Sequence, residues 1–253
     1  MLQATQLEFG RPGGFRLATQ ALDFVPGQIM GVLGPNGSGK STFLQLLSGI
    51  LKPKTGAITW DGRSRRQLGA RGWAQKIAAI PQEAGAIPEM DVQQYVSLGL
   101  IPNEGVFGTP SVDGVETVAQ VMDVCNVVHL ADRRLAELSG GQRQRVRIAK
   151  ALAQTPRTLI LDEPANHLDL HAIGHLADLL HRLAHDGLAV VVSMHDIDLA
   201  SHLSDEVMVL HEGRTETIGP TNEVLTPELI KRCWGVDVIT LDDGDSRRYL
   251  LKY

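Results

Sequence analysis

Residues 29–51, IMGVLGPNGSGKSTFLQLLSGIL, decide how this chain folds. IMGVL is a continuous apolar run of strand length, and STFLQLLSGIL carries its apolar residues at helical spacing. Between them GPNGSGKS, residues 34–41, fits G-x-x-x-x-G-K-[ST]. Glycines in such a turn let backbone N–H groups close around phosphate oxygens. The helix N-terminus that follows adds partial positive charge. The pattern therefore assigns nucleotide binding to Gly34, Pro35, Asn36, Gly37, Ser38, Gly39, Lys40, Ser41 and Thr42. Lys40 is expected to reach the β- and γ-phosphates of ATP, and Ser41 to ligate Mg²⁺. A glycine-rich turn with a surface lysine is the bland alternative, and the strand before and helix after the motif argue against it.

Working outward, TLILDEP at residues 158–164 supplies the acid that such a loop needs. A buried strand ends there in Asp162 and Glu163, at the carboxyl end where ligands sit in open parallel sheets. Asp162 is expected in the Mg²⁺ shell, and Glu163 is expected to polarise the attacking water. The segments around it read as strand TLILD, helix HAIGHLADLLHRLAHDG and strand LAVVVSMH. That order predicts a parallel sheet with right-handed crossovers. GAITWDG and KIAAIPQ read as further strands, and residues 92–134 as mostly helical with a break at IPNEGVFGTPSVDG. The tail, residues 206–237, reads as a hairpin and a closing helix, started by Thr226 as N-cap and Pro227 at the first helical position.

LSGGQ, residues 138–142, lies between these two motifs. Strand–glycine loop–helix, then LSGGQ, then LILDEP, resembles the ATP-binding-cassette family over nearly the whole chain. The resemblance implies an α/β cassette of the P-loop NTPase type, with a mostly parallel core sheet, an N-terminal antiparallel β subdomain and an inserted helical subdomain. It implies one ATPase domain over 1–253, with the core at about 1–91 and 155–253 and the helical signature subdomain at about 92–154. It also implies that Ser139, Gly140, Gly141 and Gln142 face the γ-phosphate of ATP on a second copy of the chain. By register with the family, Gln82 touches Mg²⁺ and water, His195 contacts the γ-phosphate, and Asp169 crosses the dimer. The implied catalytic set is Glu163, His195, Gln82 and Lys40, and the metal set Ser41, Gln82 and Asp162. Arg143, Arg145 and Arg147 alternate with Gln144, Val146 and Ile148 and read as a solvated helix face. The family's adenine-stacking position falls at Arg11, flanked by Phe9 and Phe15, and the choice among the three stays open.

Details such as FGRPGG, MDVQQYVSLGL, GVFG and GPTNEVLTPELIKRCWGVDV are similar to the iron(III)-siderophore, haem and cobalamin uptake group. That resemblance implies an importer ATPase on separate transmembrane permease subunits, served indirectly by a substrate-binding protein, with iron(III)-siderophore uptake the first expectation within the group and haem or cobalamin uptake the next. The segment after Gln82, including Ala84, Ala86, Ile87, Met90 and Tyr95, is then expected to receive a permease helix, with Val92, Val96 and Leu98 packing inward. Two other classes stay open. EPANHLD resembles a branch of the family that acts on ribosomes, and an exporter subunit would share the same chemistry.

Composition bounds these readings. The chain has 253 residues, 43% of them hydrophobic, enough for a large core. Its net charge of −5 gives no electrostatic footprint for nucleic acid. No apolar run approaches the ~20 residues of a membrane span. No basic start followed by an apolar block opens the sequence, so no signal peptide is expected. The expected location is peripheral, at the cytoplasmic face of a membrane. Cys125 and Cys233 are too far apart in sequence for a metal spacing and read as buried small residues.

Overall fold

Alternating side chains on five neighbouring strands build the core. In chain order the strands are β1 (Leu2–Ala4), β2 (Leu7–Gly10), β3 (Arg16–Thr19), β4 (Leu22–Phe24), β5 (Ile29–Leu33), β6 (Ile58–Trp60), β7 (Arg63–Ser64), β8 (Ile77–Ile80), β9 (Thr158–Asp162), β10 (Ala189–Ser193), β11 (Glu206–His211), β12 (Arg214–Pro220), β13 (Val238–Asp243) and β14 (Ser246–Leu251). The helices are α1 (Lys40–Leu47), α2 (Arg65–Ala74), α3 (Val92–Ser97), α4 (Ile101–Glu104), α5 (Val112–Val124), α6 (Gly140–Leu152), α7 (Leu170–His185), α8 (Ile197–Leu203), α9 (Thr221–Val224) and α10 (Pro227–Trp234). This computed structural model describes residues 1–10, 14–82, 87–105, 110–243 and 246–252.

The main sheet has the order β2-β3-β12-β11-β5-β10-β9-β8. From β11 to β8 every neighbouring pair is parallel. β5, β9 and β10 are buried along their whole length, as expected of strands covered on both faces. Successive side chains point to opposite faces. Ile29, Leu33, Leu159, Leu161, Val190 and Val192 therefore join one cluster with α3, α6 and α7. Met30, Val32, Ile160 and Val191 join a second cluster with α1 and the β1–β4–β6 sheet. On α1, Phe43, Leu44, Leu46 and Leu47 are buried against that second face. Each such side chain contributes about 1.5–3 kcal/mol by leaving water.

The antiparallel strands are distributed more widely than the sequence reading placed them. β1 pairs with both β4 and β6 in a separate four-stranded sheet, while β2 and β3 join the main sheet beside β12. The helical insertion lies between β8 and β9, and Val92, Val96, Val146 and Ile148 continue into the same cluster as the sheet. The expected break at residues 101–114 contains a short helix, α4, and α5 begins at Val112 with Ser111 as its N-cap. Thr226 caps α10 as expected, accepting from Leu229 N–H at 3.2 Å.

Beyond α10 the chain forms a hairpin, β13–β14, that the sequence reading missed. It is tied to the core by Tyr249, whose hydroxyl donates to Leu225 O at 2.8 Å and whose N–H donates to Asp198 Oδ1 at 2.7 Å. Alternating apolar residues on either side of DDGD were the available signal.

Candidate functional site

β5 delivers the chain to Gly34 at the carboxyl end of the sheet, and α1 begins at Lys40. Gly34 has φ +148°, and a Cβ there would lie 2.1 Å from Leu210 O, so only glycine turns here. Lys40 is 5% exposed. Its ammonium donates to Gly34 O at 2.8 Å and Pro35 O at 3.3 Å, and stands 3.9 Å from Glu163 Oε1. Burial pulls its pKa below the ordinary lysine value, with Glu163 and Asp162 opposing that shift.

β9 and β10 together position the acids. Asp162 is buried at the end of β9 and accepts from Ser193 Oγ at 2.6 Å. The same Ser193 Oγ accepts from Glu163 N–H at 2.9 Å. Glu163 has φ +49°, a left-handed conformation costly for a non-glycine residue, which this bond helps hold. Its Oε2 accepts from Gln82 Nε2 at 3.2 Å and from Asn166 Nδ2. Ser193 and Asn166 were not among the residues the sequence pointed to. Their role follows from the parallel register Ser193↔Asp162 and from the turn after Glu163, neither of which a local pattern displays.

One cleft of about 640 Å³ is lined by Asn36, Gly37, Gly39, Lys40, Ser41, Thr42, Gln82, Glu163 and His195. Most of the expected nucleotide and catalytic residues thus meet in a space of ligand size. Phe15 and Asn166 also line it, whereas Phe9 lines a neighbouring groove that Phe15 borders too. Arg11 lies outside the described residues, as do Ala84 and Ala86.

Ser139, Gly140, Gly141, Gln142 and Asp169 line a different cleft, of about 1040 Å³. Ser139 Oγ accepts from Gln142 N–H at 3.3 Å, and the Gln142 side chain accepts from Ser139 N–H at 3.0 Å. This capping box satisfies two of the donors a helix start leaves open. Gly141 is a close-approach position: a Cβ there would lie 2.8 Å from Ala172 Cβ on α7. Asp169 caps α7 by accepting from Ala172 N–H at 2.8 Å.

The arginines of α6 depart from the expected solvated face. All three are half-buried; Arg143 and Arg147 line a cleft of about 390 Å³ together with Gln82, Asp162, Glu163 and Gly140. Val92 and Val96 are buried as expected, whereas Leu98 is 38% exposed.

The chain matches the ABC transporter family over residues 17–166. It is 35% identical over 252 residues to the hemin import ATP-binding protein HmuV of Bordetella parapertussis, covering 95% of this chain and 94% of that protein. It is 37% identical over 213 residues to the cobalamin import ATP-binding protein BtuD of Halobacterium salinarum, covering 84% of this chain and 53% of that protein. Among solved structures, an inward-facing metal-chelate type ABC transporter superposes with a TM-score of 0.87 at 28% identity, over 100% of this chain and 97% of the other.

Proposed function

The chain belongs to the ABC transporter family, and from that premise we propose that it is the ATP-hydrolysing subunit of an importer for a metal chelate of the haem or cobalamin kind. The carrying observation is the single cleft in which Lys40, Ser41, Gln82, Glu163 and His195 meet. Lys40 neutralises the β- and γ-phosphates of ATP. Glu163, oriented by Gln82, Asn166 and Ser193, accepts a proton from the water that attacks the γ-phosphate. His195, two residues past the end of β10, is placed to contact the γ-phosphate. The oxygen donors Ser41 and Asp162, with Gln82 beside them, are the hard ligands that suit Mg²⁺, which when bound supplies charge neutralisation across the phosphates. Phe15 is the adenine-stacking candidate best supported by the cleft lining.

Ser139 to Gln142 line a separate cleft, which supports their serving the nucleotide of a second copy in a head-to-tail dimer. Gly140 also borders the cleft that holds Asp162 and Glu163, so closure of the dimer is felt at the catalytic acids. Among the described residues no helix is long and apolar enough to cross a membrane; a transport path supplied by separate permease subunits is favoured by the import names of the relatives. Ile87, Leu98 and Ile101 are partly exposed apolar residues that could take a permease helix. The chain then sits peripherally at the cytoplasmic face, with a substrate-binding protein acting on the permease. The import names of the relatives favour this reading over ribosome action or export.

Glu163→Gln tests the proposal. It preserves shape and removes the proton acceptor, so ATP should bind and persist, and two copies should elute as a dimer in ATP and Mg²⁺. A variant hydrolysing ATP at the parent rate would overturn the catalytic assignment. Co-purification with ribosomes rather than a permease would overturn the importer reading.

A further inference from the structure

Helix α7 carries a histidine pair that ATP hydrolysis does not use. His171 and His175 are four residues apart, so both project from one helix face. Both are exposed, with their Nε2 atoms 3.0 Å apart and their rings edge to face, centroids 4.3 Å apart. We propose that this pair is a binding site for a late first-row divalent cation, Cu²⁺, Ni²⁺ or Zn²⁺, held by the two imidazole nitrogens with water completing its shell.

The spacing carries the argument. Paired histidines at i and i+4 of a helix are a known zinc-binding arrangement, because one turn brings both nitrogens to the same point. With metal–nitrogen bonds of about 2.1 Å, two cis ligands at a right angle stand about 3.0 Å apart, and two tetrahedral ligands about 3.4 Å. The observed 3.0 Å matches the right-angle case, which octahedral or tetragonal Ni²⁺ and Cu²⁺ adopt. Binding then exchanges the N–H···N contact for two metal–nitrogen bonds, the rings turning so that both lone pairs face the cation. Among the described residues no cluster of three or more His, Cys, Asp or Glu is present, so solvent supplies the other ligands. Imidazole nitrogens select borderline cations, unlike the oxygen donors Ser41 and Asp162, and the two sites therefore draw on different ions.

The charge around the pair is mixed. The N-terminal end of α7 is electropositive, but Asp169 caps it and Asp178 lies further along the same cleft. Arg145 and Arg182 oppose them there. The cleft is the one that Ser139, Gly140 and Asp169 line, so the cation would sit where the second copy docks. That placement rests on the proposed dimer; the metal binding itself does not.

The test is calorimetric titration of the tag-free chain with CuCl₂, NiCl₂ and ZnCl₂, without nucleotide. One saturable equivalent is expected, tightest for Cu²⁺. His171→Ala and His175→Ala should each weaken binding at least tenfold, and the double variant should abolish it. His185→Ala, altering an exposed histidine at the other end of α7, should leave affinity unchanged. Absence of saturable binding, or parent affinity in the double variant, overturns the site and reduces the pair to an imidazole–imidazole hydrogen bond. Because no ATP is present, failure here is distinct from failure of the ATPase reading.

Discussion

Replacing Ser193 by alanine removes one oxygen and two hydrogen bonds at the junction of β9 and β10. The first is the 2.6 Å bond donated to Asp162 Oδ1, and the second the 2.9 Å bond accepted from Glu163 N–H. Ser193 is fully buried and Asp162 nearly so, leaving water little room to replace either bond. A hydrogen bond to a charged group contributes about 1.5–3 kcal/mol, and a neutral one about 0.5–1.5. The expected destabilisation is therefore about 2–4 kcal/mol. In a chain of this size that lowers Tm by roughly 4–8 °C. The effect on catalysis is separate. Without the hydroxyl, the Asp162 carboxylate and the left-handed turn at Glu163 lose a shared anchor, and loss of such outer contacts typically costs ~10–100-fold. Thermal melting by circular dichroism gives the first quantity. ATP hydrolysis measured against Mg²⁺ concentration gives the second, and the Mg²⁺ requirement should rise as kcat falls. An alanine variant with the parent Tm and rate would refute the reasoning. So would one that loses stability but keeps both kcat and Mg²⁺ dependence, because Ser193 would then be packing alone.

Gly141→Ala and Gly140→Ala should part company. The first meets Ala172 Cβ at 2.8 Å and should lower Tm of the isolated chain, while the second meets only ordinary contacts at 3.7 Å and should fold normally but slow hydrolysis; equal melting temperatures would contradict the packing. Burial lowers the Lys40 pKa, so in the window below the ordinary 10.5 the unfolded chain binds more protons than the folded one and stability from this group rises with pH. Lys40→Met should flatten that slope in denaturant titrations between pH 8 and 10, and an unchanged slope would reject it. Burial raises the Cys125 thiol to about 12, leaving it almost wholly protonated at pH 8. Iodoacetamide should label it only after unfolding, as read by mass spectrometry, and rapid labelling of the native chain would show that the site is open.

The glycine loop before α1 was legible because its geometry is local. A strand, a glycine turn and a helix start are specified by consecutive residues, and GPNGSGKS could be placed on them before any tertiary contact was known. Asp162 and Glu163 were legible for a similar reason, as acids ending an apolar run. The α6 arginines were misjudged because alternation in sequence does not say how closely α6 packs on the segment after β9, and that packing buries them halfway. The terminal hairpin was missed because its short strands acquire a partner surface only once α8 and α10 are in place. Leu98 was expected inside, yet at about 100° per residue it falls on the side of the helix opposite Val96 and Val92, which leaves it 38% exposed.

The sequence by itself determined the glycine loop before α1, the acid pair at the end of β9, the cap of α10 and the parallel character of the core sheet. Each depends on hydrogen bonds and side-chain periodicity within a few residues of the chain. Tertiary structure alone decided that Ser193 joins Asp162 to Glu163, that Gln82 and Asn166 converge on one carboxylate oxygen, and that Ser139 opens into a cleft apart from Lys40. Those pairings join residues up to 81 positions apart, across parallel strands whose register is set by burial on both faces of the sheet. No local pattern encodes that register, because it exists only when the two cores close on the strands between them.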